Sequence, residues 1–265
     1  SSIIIAMSIL FIACSTSYKT VNSASGKYKL VWNDEFNYTG LPDETKWSYD
    51  TIGNKYGWGN NEKQFYTVRK PENVFVKNGV LTIVALKDSV EGKPFTSARL
   101  VSKGKGDWLY GRFEIRAKLP TGRGTWPAIW MLPSENTYGG WPASGEIDIM
   151  EHVGRDPETV HFSLHTGTFN HRKNNHRTYF EKMPGVLDEF HDYEMIWDEQ
   201  SISFYVDGRH KVTFSKQEGD TVAEWPFDKP YYLILNIAVG GFWGGPVKDE
   251  DLPFEMAIRS IKIYQ

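Results

Sequence analysis

Phe113, Ile115, Ala117 and Leu119 alternate with Arg112, Glu114, Arg116 and Lys118 in a stretch that stops at Pro120. This period of two constrains the fold more than any other feature. A helix would scatter the four apolar side chains around its circumference, whereas a strand gathers them on one face and the charges on the other. From Tyr28 onward the same kind of short run recurs, bounded by Gly, Asn, Asp and Pro, and few windows sustain a helical period. The pattern predicts strands over 28–35, 80–87, 96–103, 128–132, 160–165, 192–198, 231–239 and 257–264. Asp207-Gly208, between Ser201–Val206 and a second run from Arg209, predicts a hairpin, because Asp-Gly suits the positive φ angles of a two-residue primed turn. A short helix is expected near 44–47 or within 183–190. About a dozen strands are too many for one flat sheet, so the expected class is all-β, a two-sheet sandwich whose curvature would leave a groove.

Composition sets the outer bounds. With 265 residues and 40% hydrophobic content the chain can bury one large core, and residues 27–265 are read as a single domain. A net charge of −3, with no basic run, gives no electrostatic reason for nucleic-acid binding. The only cysteine, Cys14, excludes an internal disulfide and a cysteine-based zinc site. Residues 3–13 form an apolar run of signal-peptide length, too short for a comfortable membrane span. The run closes at Ile12-Ala13-Cys14, which resembles the lipobox of bacterial lipoproteins. Residues 1–13 are therefore expected to be a lipoprotein leader, and 14–26 an acylated cysteine followed by a flexible tether rich in Ser, Thr, Asn and Gly. The expectation is an exported monomer at the outer membrane or cell surface, or otherwise in the periplasm or medium, touching membrane only through its lipid.

Chemistry concentrates in Gly145-Glu146-Ile147-Asp148-Ile149-Met150-Glu151. Glu146 and Asp148 share one strand face and Ile147 and Ile149 the other, but Glu151 breaks the alternation. A β-bulge that absorbs one extra residue near Ile149-Met150 would return Glu151 to the face of the other two acids. Two glutamates two pleats apart have Cα atoms roughly 13 Å apart, and side chains leaning inward would bring their carboxyls to about 5 Å. That is the spacing of a glycosidase that retains configuration, about 5–5.5 Å. The neighbourhood supports a saccharide cleft, since Trp126, Trp130 and Trp141 lie just upstream and sugar rings stack on aromatic faces. Trp126 and Trp130, four apart around Pro127, are candidate stacking platforms.

Glu146-Ile147-Asp148-Ile149-Met150-Glu151 resembles the ExDxxE signature of family-16 glycoside hydrolases, in their bulged, laminarinase-like branch. The resemblance extends to Val31–Phe36, Gly57–Thr67, Tyr110–Ala117, Trp126–Pro133, His161–Gly167 and Leu235–Gly241, in one common order. It implies a curved β-jelly-roll with an open cleft and endo-hydrolysis of a β-1,3-glucan or mixed-linkage β-1,3/1,4-glucan. On that likeness Glu146 is the nucleophile, Glu151 the acid and then the base, and Asp148 the carboxyl that splits their pKa values. His165 matches the family's cleft histidine, and Asn60, Arg99, Asn236 and Trp243 are weaker candidates for hydroxyl contacts or stacking. Gly240–Pro246 is expected to be a loop at the cleft edge.

Two other functions compete. Non-catalytic glucan binders on the same sandwich typically lose the acids, and here Glu146, Asp148 and Glu151 are all present. A galactan hydrolase is disfavoured because no basic cluster appears near the cleft motifs to meet sulfate groups. A metal site from Asp148, Glu151 and His152 fails because His152 points away from Glu151 on a strand. No cofactor is required on this reading. Many relatives hold a structural calcium through a first-strand glutamate, a glycine carbonyl and an aspartate before the last strand. Glu35 and Gly79 match the first two, but Arg259 stands where the aspartate is expected. The expectation is that the ion is absent or weak and that Arg259 pairs with Glu35 in its place.

Overall fold

The computed structural model describes residues 28–265, so the expected leader over 1–13, Cys14 and the expected tether lie outside the described residues. Eighteen strands account for most of the regular structure. They are β1 (Leu30–Asp34), β2 (Ser48–Tyr49), β3 (Gln64–Tyr66), β4 (Val74–Lys77), β5 (Val80–Val90), β6 (Lys93–Ser97), β7 (Arg99–Val101), β8 (Asp107–Trp108) and β9 (Gly111–Lys118). Then follow β10 (Thr125–Pro133), β11 (Glu146–Glu151), β12 (Thr159–His165), β13 (Arg177–Lys182), β14 (His191–Trp197), β15 (Ser201–Val206), β16 (Arg209–Ser215), β17 (Tyr231–Val239) and β18 (Phe254–Tyr264). Ten build one sheet, ordered β16-β15-β14-β9-β18-β5-β6-β3 with β1 beside β18 and β4 beside β5. Eight build the other, ordered β13-β12-β11-β10-β17-β7-β2 with β8 beside β17. The fold is the expected jelly roll.

The alternation in β9 does what its sequence dictates: Phe113, Ile115 and Ala117 are fully buried between the sheets while the charged residues between them are half-exposed. Ile129 and Met131 of β10, Ile147 of β11, Phe162 and Leu164 of β12 and Leu233, Leu235 and Ile237 of β17 meet them from the opposite sheet. Burial of such side chains stabilises by about 1.5–3 kcal/mol each. All nine residues of β17 are buried, because this strand is covered on both faces. A smaller cluster of Val101, Tyr232 and Ile234, packed by Trp130 and Leu132, covers its outer side.

Some elements differ from the expected ones. The segment over 44–47 is one hydrogen-bonded turn, closed by the Trp47 N–H on the Asp43 carbonyl at 2.9 Å, and not a helix. The segment over 183–190 is likewise a series of turns, since Pro184 and Gly185 interrupt any helical ladder. Within 240–246 lies a short helix, α1 (Gly241–Gly244). Edge strand β13 escapes sequence reading because Arg177, Tyr179 and Glu181 on its inward face are only half-buried and are not an apolar set.

At the first strand, the expected Glu35–Arg259 pair does not form. Lys262 takes Glu35, at 2.8 Å, while the Arg259 guanidinium stacks 4.4 Å from the centre of the Phe190 ring. The reason is register. β18 slips by one residue against β9 between Ile258 and Ser260, so Arg259 is the extra residue, whereas Lys262 lies opposite Asn33 on β1. Gly79 has φ of 72° in the β4–β5 turn, which explains a glycine there by turn geometry. A carboxylate already met by an ammonium, with an arginine in place of a third ligand, does not fit a hard cation that needs several oxygens.

β11 carries the irregularity on which the cleft depends. Against β10, Met150 pairs with Ile129 and Asp148 with Trp130, so Ile149 has no partner of its own. Against β12, Asp148 pairs with Ser163 and Glu151 with His161, again one residue more on β11. Ile147, Ile149 and Met150 consequently all face the core and are fully buried. Deleting Ile149 is expected to straighten β11 and turn Glu151 into the core. A carboxyl buried there without a hydrogen-bond partner costs about 1–3 kcal/mol or more, so the melting temperature should fall together with glucan hydrolysis. A deletion variant with unchanged melting and turnover would refute this account of the bulge.

Candidate active site

The eight-stranded sheet carries an open cleft of about 870 Å³, and every residue singled out from the sequence as catalytic or substrate-binding lines it: Glu146, Asp148, Glu151, Trp126, Trp130, His165, Asn60, Arg99, Asn236 and Trp243. The three acids stand in a row along β11 because of the bulge. Gly145 sets the entry to that strand: its φ is 91°, and a Cβ there would meet the Tyr231 hydroxyl at 2.2 Å, where that hydroxyl donates to the Ser144 carbonyl.

Each glutamate is held by an indole. Trp141 Nε1 donates to Glu146 Oε2 at 2.7 Å, and Trp126 Nε1 donates to Glu151 Oε1 at 3.1 Å. Asp148, 1% exposed, lies between them. Its Oδ2 is 3.3 Å from His165 Nε2, too far off axis for a hydrogen bond, and the same nitrogen is 3.8 Å from Glu146 Oε1. The His171 amide donates to His165 Nδ1 at 3.3 Å, so in the neutral ring the proton sits on Nε2.

That proton decides another matter. Glu146, Asp148 and His165 place one ligand atom each within 4.8 Å of one another, a grouping that has the right residue types for a metal. Coordination through Nε2 would move the ring proton to Nδ1, against the His171 N–H, so the grouping does not fit a metal. His152, fully buried, turns its Nδ1 onto the Thr159 carbonyl at 2.9 Å, away from Glu151 as the strand alternation requires.

Electrostatics follow from burying three like charges together. Burial pushes Glu151 up to about 7, with Glu146's charge adding to the shift and the Trp126 donor opposing it. Burial, then the neighbouring Asp148, pushes Glu146 up to about 8, while His165 and Trp141 pull it down. Asp148 is raised well above the usual carboxylate range by burial and by Glu151, and it shares a hydrogen bond with Glu146. Glu146 has the Trp141 indole as a donor, whereas Asp148 Oδ2 is buried without one, so the charge of Asp148 is the less well stabilised of the two.

Aromatic and polar walls flank the acids. The Arg99 guanidinium is sandwiched 4.2 Å from the centre of the Trp58 ring and 4.7 Å from that of Trp130, and its Nε reaches Asp50 at 3.1 Å. Trp130 Nε1 donates to Asn236 Oδ1 at 2.7 Å, and Asn60 donates to Glu62 at 3.0 Å. On the other side Trp126 meets Trp243 edge-on at 5.3 Å, Trp243 meets His161 at 4.9 Å, and His161 meets Phe180 at 5.3 Å. Burial drives His161 and His171 down to about 4, so both are neutral at physiological pH.

Sequence reading does not single out several lining residues, namely His161, His171, Arg172, His176 and Phe180, whereas Trp58, Trp141 and Phe242 lie in segments it associates with the cleft. A signal existed for some of them. Residues 171–177 read His-Arg-Lys-Asn-Asn-His-Arg, a basic run, and the fold brings it to the cleft, where Arg172 stacks 4.6 Å from the centre of the Trp141 ring. The expectation of no basic cluster near the cleft is thus corrected. It failed because this run lies about twenty residues beyond Glu151 in sequence and is apposed only by the return of the chain into β13.

Comparison with known proteins gives a consistent picture. The family model described as "Glycosyl hydrolases family 16" matches residues 61–252. A "Beta-glucanase" of Rhodothermus marinus is 46% identical over 264 residues, covering 97% of this chain and 92% of that protein. The crystal structure of the laminarinase from Rhodothermus marinus superposes with a TM-score of 0.87 at 47% identity, covering 90% of this chain and 98% of the other. The structure of a non-specific endo-β-1,3(4)-glucanase from the same family gives a TM-score of 0.85 at 44% identity, over 90% of this chain and 91% of the other.

The raised carboxyl pKa values predict a pH dependence of stability. A carboxyl whose pKa rises from 4.5 unfolded to about 7 folded, as at Glu151, binds more protons when folded. Its stabilising contribution is therefore complete below pH 4.5 and is lost as pH rises through the window to about 7. On the order of 3 kcal/mol is at stake. The melting temperature should fall across this window, and Glu151→Gln should flatten the decline; equal slopes in both proteins would contradict it.

Proposed function

The chain belongs to glycosyl hydrolases family 16, and on that premise we propose that it is a retaining endo-β-glucanase acting on β-1,3-glucan and mixed-linkage β-1,3/1,4-glucan. The observation that carries the proposal is the row of Glu146, Asp148 and Glu151 on the cleft face of a bulged strand, each glutamate held by a tryptophan N–H. The bulge also favours the laminarinase-like branch. Relatives described as a laminarinase and as a non-specific β-1,3(4)-glucanase support both linkages.

In the first step the Glu146 carboxylate attacks the anomeric carbon, the bond to the leaving oxygen breaks, and Glu151 gives that oxygen its proton. A glycosyl ester on Glu146 and a free chain end result. Glu151, now ionised, then takes a proton from water as the water attacks the same carbon and releases Glu146. The pKa of about 7 suits Glu151 to both halves, since it is protonated in mildly acidic solution yet basic enough to accept a proton afterwards. Asp148 holds the proton that lets Glu146 ionise beside it. Trp126, Trp130 and Trp243 supply faces for sugar rings, and Arg99, Asn60, Asn236 and His165 supply hydrogen-bond donors to hydroxyls. Export with acylation of Cys14 belongs to the same proposal and rests on the apolar run over 3–13; Cys14→Ser should then move the protein out of the membrane fraction, and unchanged partitioning would refute it.

Glu146→Ser and Glu151→Gln should each lower turnover of laminarin and barley β-glucan by about 10²-fold or more while glucan binding persists. NMR of the first-formed product should show the β-anomer. Near-native turnover by either variant, an inverted product, or cleavage of agarose in preference to both glucans would overturn the assignment.

A further inference from the structure

Glu62 lines the cleft and is 6% exposed, yet no step of the proposed mechanism uses it. A carboxyl withdrawn from water needs partners, and those of Glu62 are specific. Gln64 Oε1 accepts the Val239 N–H at 2.7 Å, which turns its Nε2 onto Glu62 Oε2 at 2.6 Å. Asn60 Nδ2 donates to the other oxygen, Oε1, at 3.0 Å. Both oxygens thus receive N–H groups, an arrangement that suits the ionised form. Burial raises the Glu62 pKa, and Asn60, Gln64, Arg99 of β7 and Lys93 of β6 oppose that rise. Lys93 Nζ also donates to the Glu62 main-chain carbonyl at 2.9 Å.

The same residue joins the two segments that flank the acid/base. Glu62 forms a β-bridge with Gly240, the Lys63 N–H donates to the Val239 carbonyl at 2.9 Å, and the Phe242 N–H donates to the Asn60 carbonyl at 2.8 Å. Helix α1 is thereby fixed to residues 60–63. It carries Trp243, which meets Trp126 edge-on at 5.3 Å, and Trp126 Nε1 holds Glu151 Oε1 at 3.1 Å. Charge acts beside contact. Burial and Glu146 do most to raise the Glu151 pKa, His165 and Trp126 oppose them, and the negative charge of Glu62 adds to the rise. Asp148 adjoins Glu151 on β11, and the neutral His161 pairs with it across β12. Tyr66 is the remaining titratable group that feels Glu62.

We propose that Glu62 is a positioning residue for Glu151: it clamps the Trp243–Trp126 wall against that acid and adds a negative charge that keeps the acid protonated until the leaving oxygen takes the proton. The proposal rests on the proposed glucanase function, in which Glu151 gives and retakes that proton. Glu62 acts through Glu151 and not on the reacting atoms of the sugar.

Glu62→Gln keeps the side-chain shape and removes the charge, and its amide N–H would oppose that of Asn60 or Gln64. Two readouts follow Glu151. Carbon-13 NMR of labelled glutamate carboxyls gives its apparent midpoint without turnover, the signal being assigned by its absence in Glu151→Gln. The alkaline limb of kcat/KM on laminarin reports the same acid at work. Removing a nearby negative charge favours the ionised acid, so in Glu62→Gln both should move to lower pH by about half a unit or more. KM for laminarin should rise as the clamp on Asn60 and Trp243 loosens. Unmoved midpoint and limb overturn the proposal even where the melting temperature falls, because a purely structural acid costs stability alone. The native protein supplies a second check that needs no folded Gln variant. Its Glu62 signal, assigned by its absence in Glu62→Asp, should be that of a carboxylate at pH values where Glu151 still holds its proton; a Glu62 that ionises only above Glu151 overturns the proposal. A native protein that cuts neither laminarin nor barley β-glucan defeats the proposed function and the role of Glu62 with it, whereas native turnover with an unmoved Glu151 midpoint in Glu62→Gln defeats the role of Glu62 alone.

Discussion

One unpaired residue, Ile149, sets the geometry on which the cleft depends. By adding a step to β11 that neither β10 nor β12 matches, it lets Ile147, Ile149 and Met150 all enter the core while Glu146, Asp148 and Glu151 all leave it. A regular strand cannot do this, since its alternation would send Glu151 inward. The apolar residues of the bulge anchor it: all three are fully buried, so the register is fixed by packing as well as by hydrogen bonds.

Gathering three carboxyls at the floor of an aromatic cleft is electrostatically costly, and the surroundings show how the cost is met. Indole N–H groups from Trp126 and Trp141 hold the two outer acids, and Asp148 keeps a proton that lowers the charge of the group. The His171 amide fixes the His165 tautomer, occupying Nδ1 and leaving the proton on Nε2. The same arrangement separates roles. Each glutamate has one indole donor, and burial lifts Glu146 to about 8 and Glu151 to about 7, so the ionisation of one holds the proton on the other, as an attacking and a proton-donating pair requires.

How far this was legible in the sequence depended on the range of the causes. The all-β class, the β9 alternation, the Asp207-Gly208 hairpin and the need for a bulge near Ile149-Met150 all follow from side-chain periodicity within a few residues. The family likeness supplied Asn60, Arg99, Asn236 and Trp243 as cleft residues, though they lie far apart in the chain. Edge strand β13 and the turns over 44–47 and 183–190 were not legible. Their conformations depend on partners elsewhere, or on a single Pro-Gly step that outweighs a weak helical propensity.

By itself, the sequence determined which faces the strands present and that three acids of β11 must share one of them, because alternation and its single interruption are properties of consecutive residues. Tertiary structure decided who meets those acids. Trp141 and the basic run over 171–177 converge on Glu146 through loops, and Lys262 displaces Arg259 from Glu35 through a one-residue slip in β18. A register slip or a loop closure is fixed by packing across the whole sandwich, and no window of neighbouring residues contains that information.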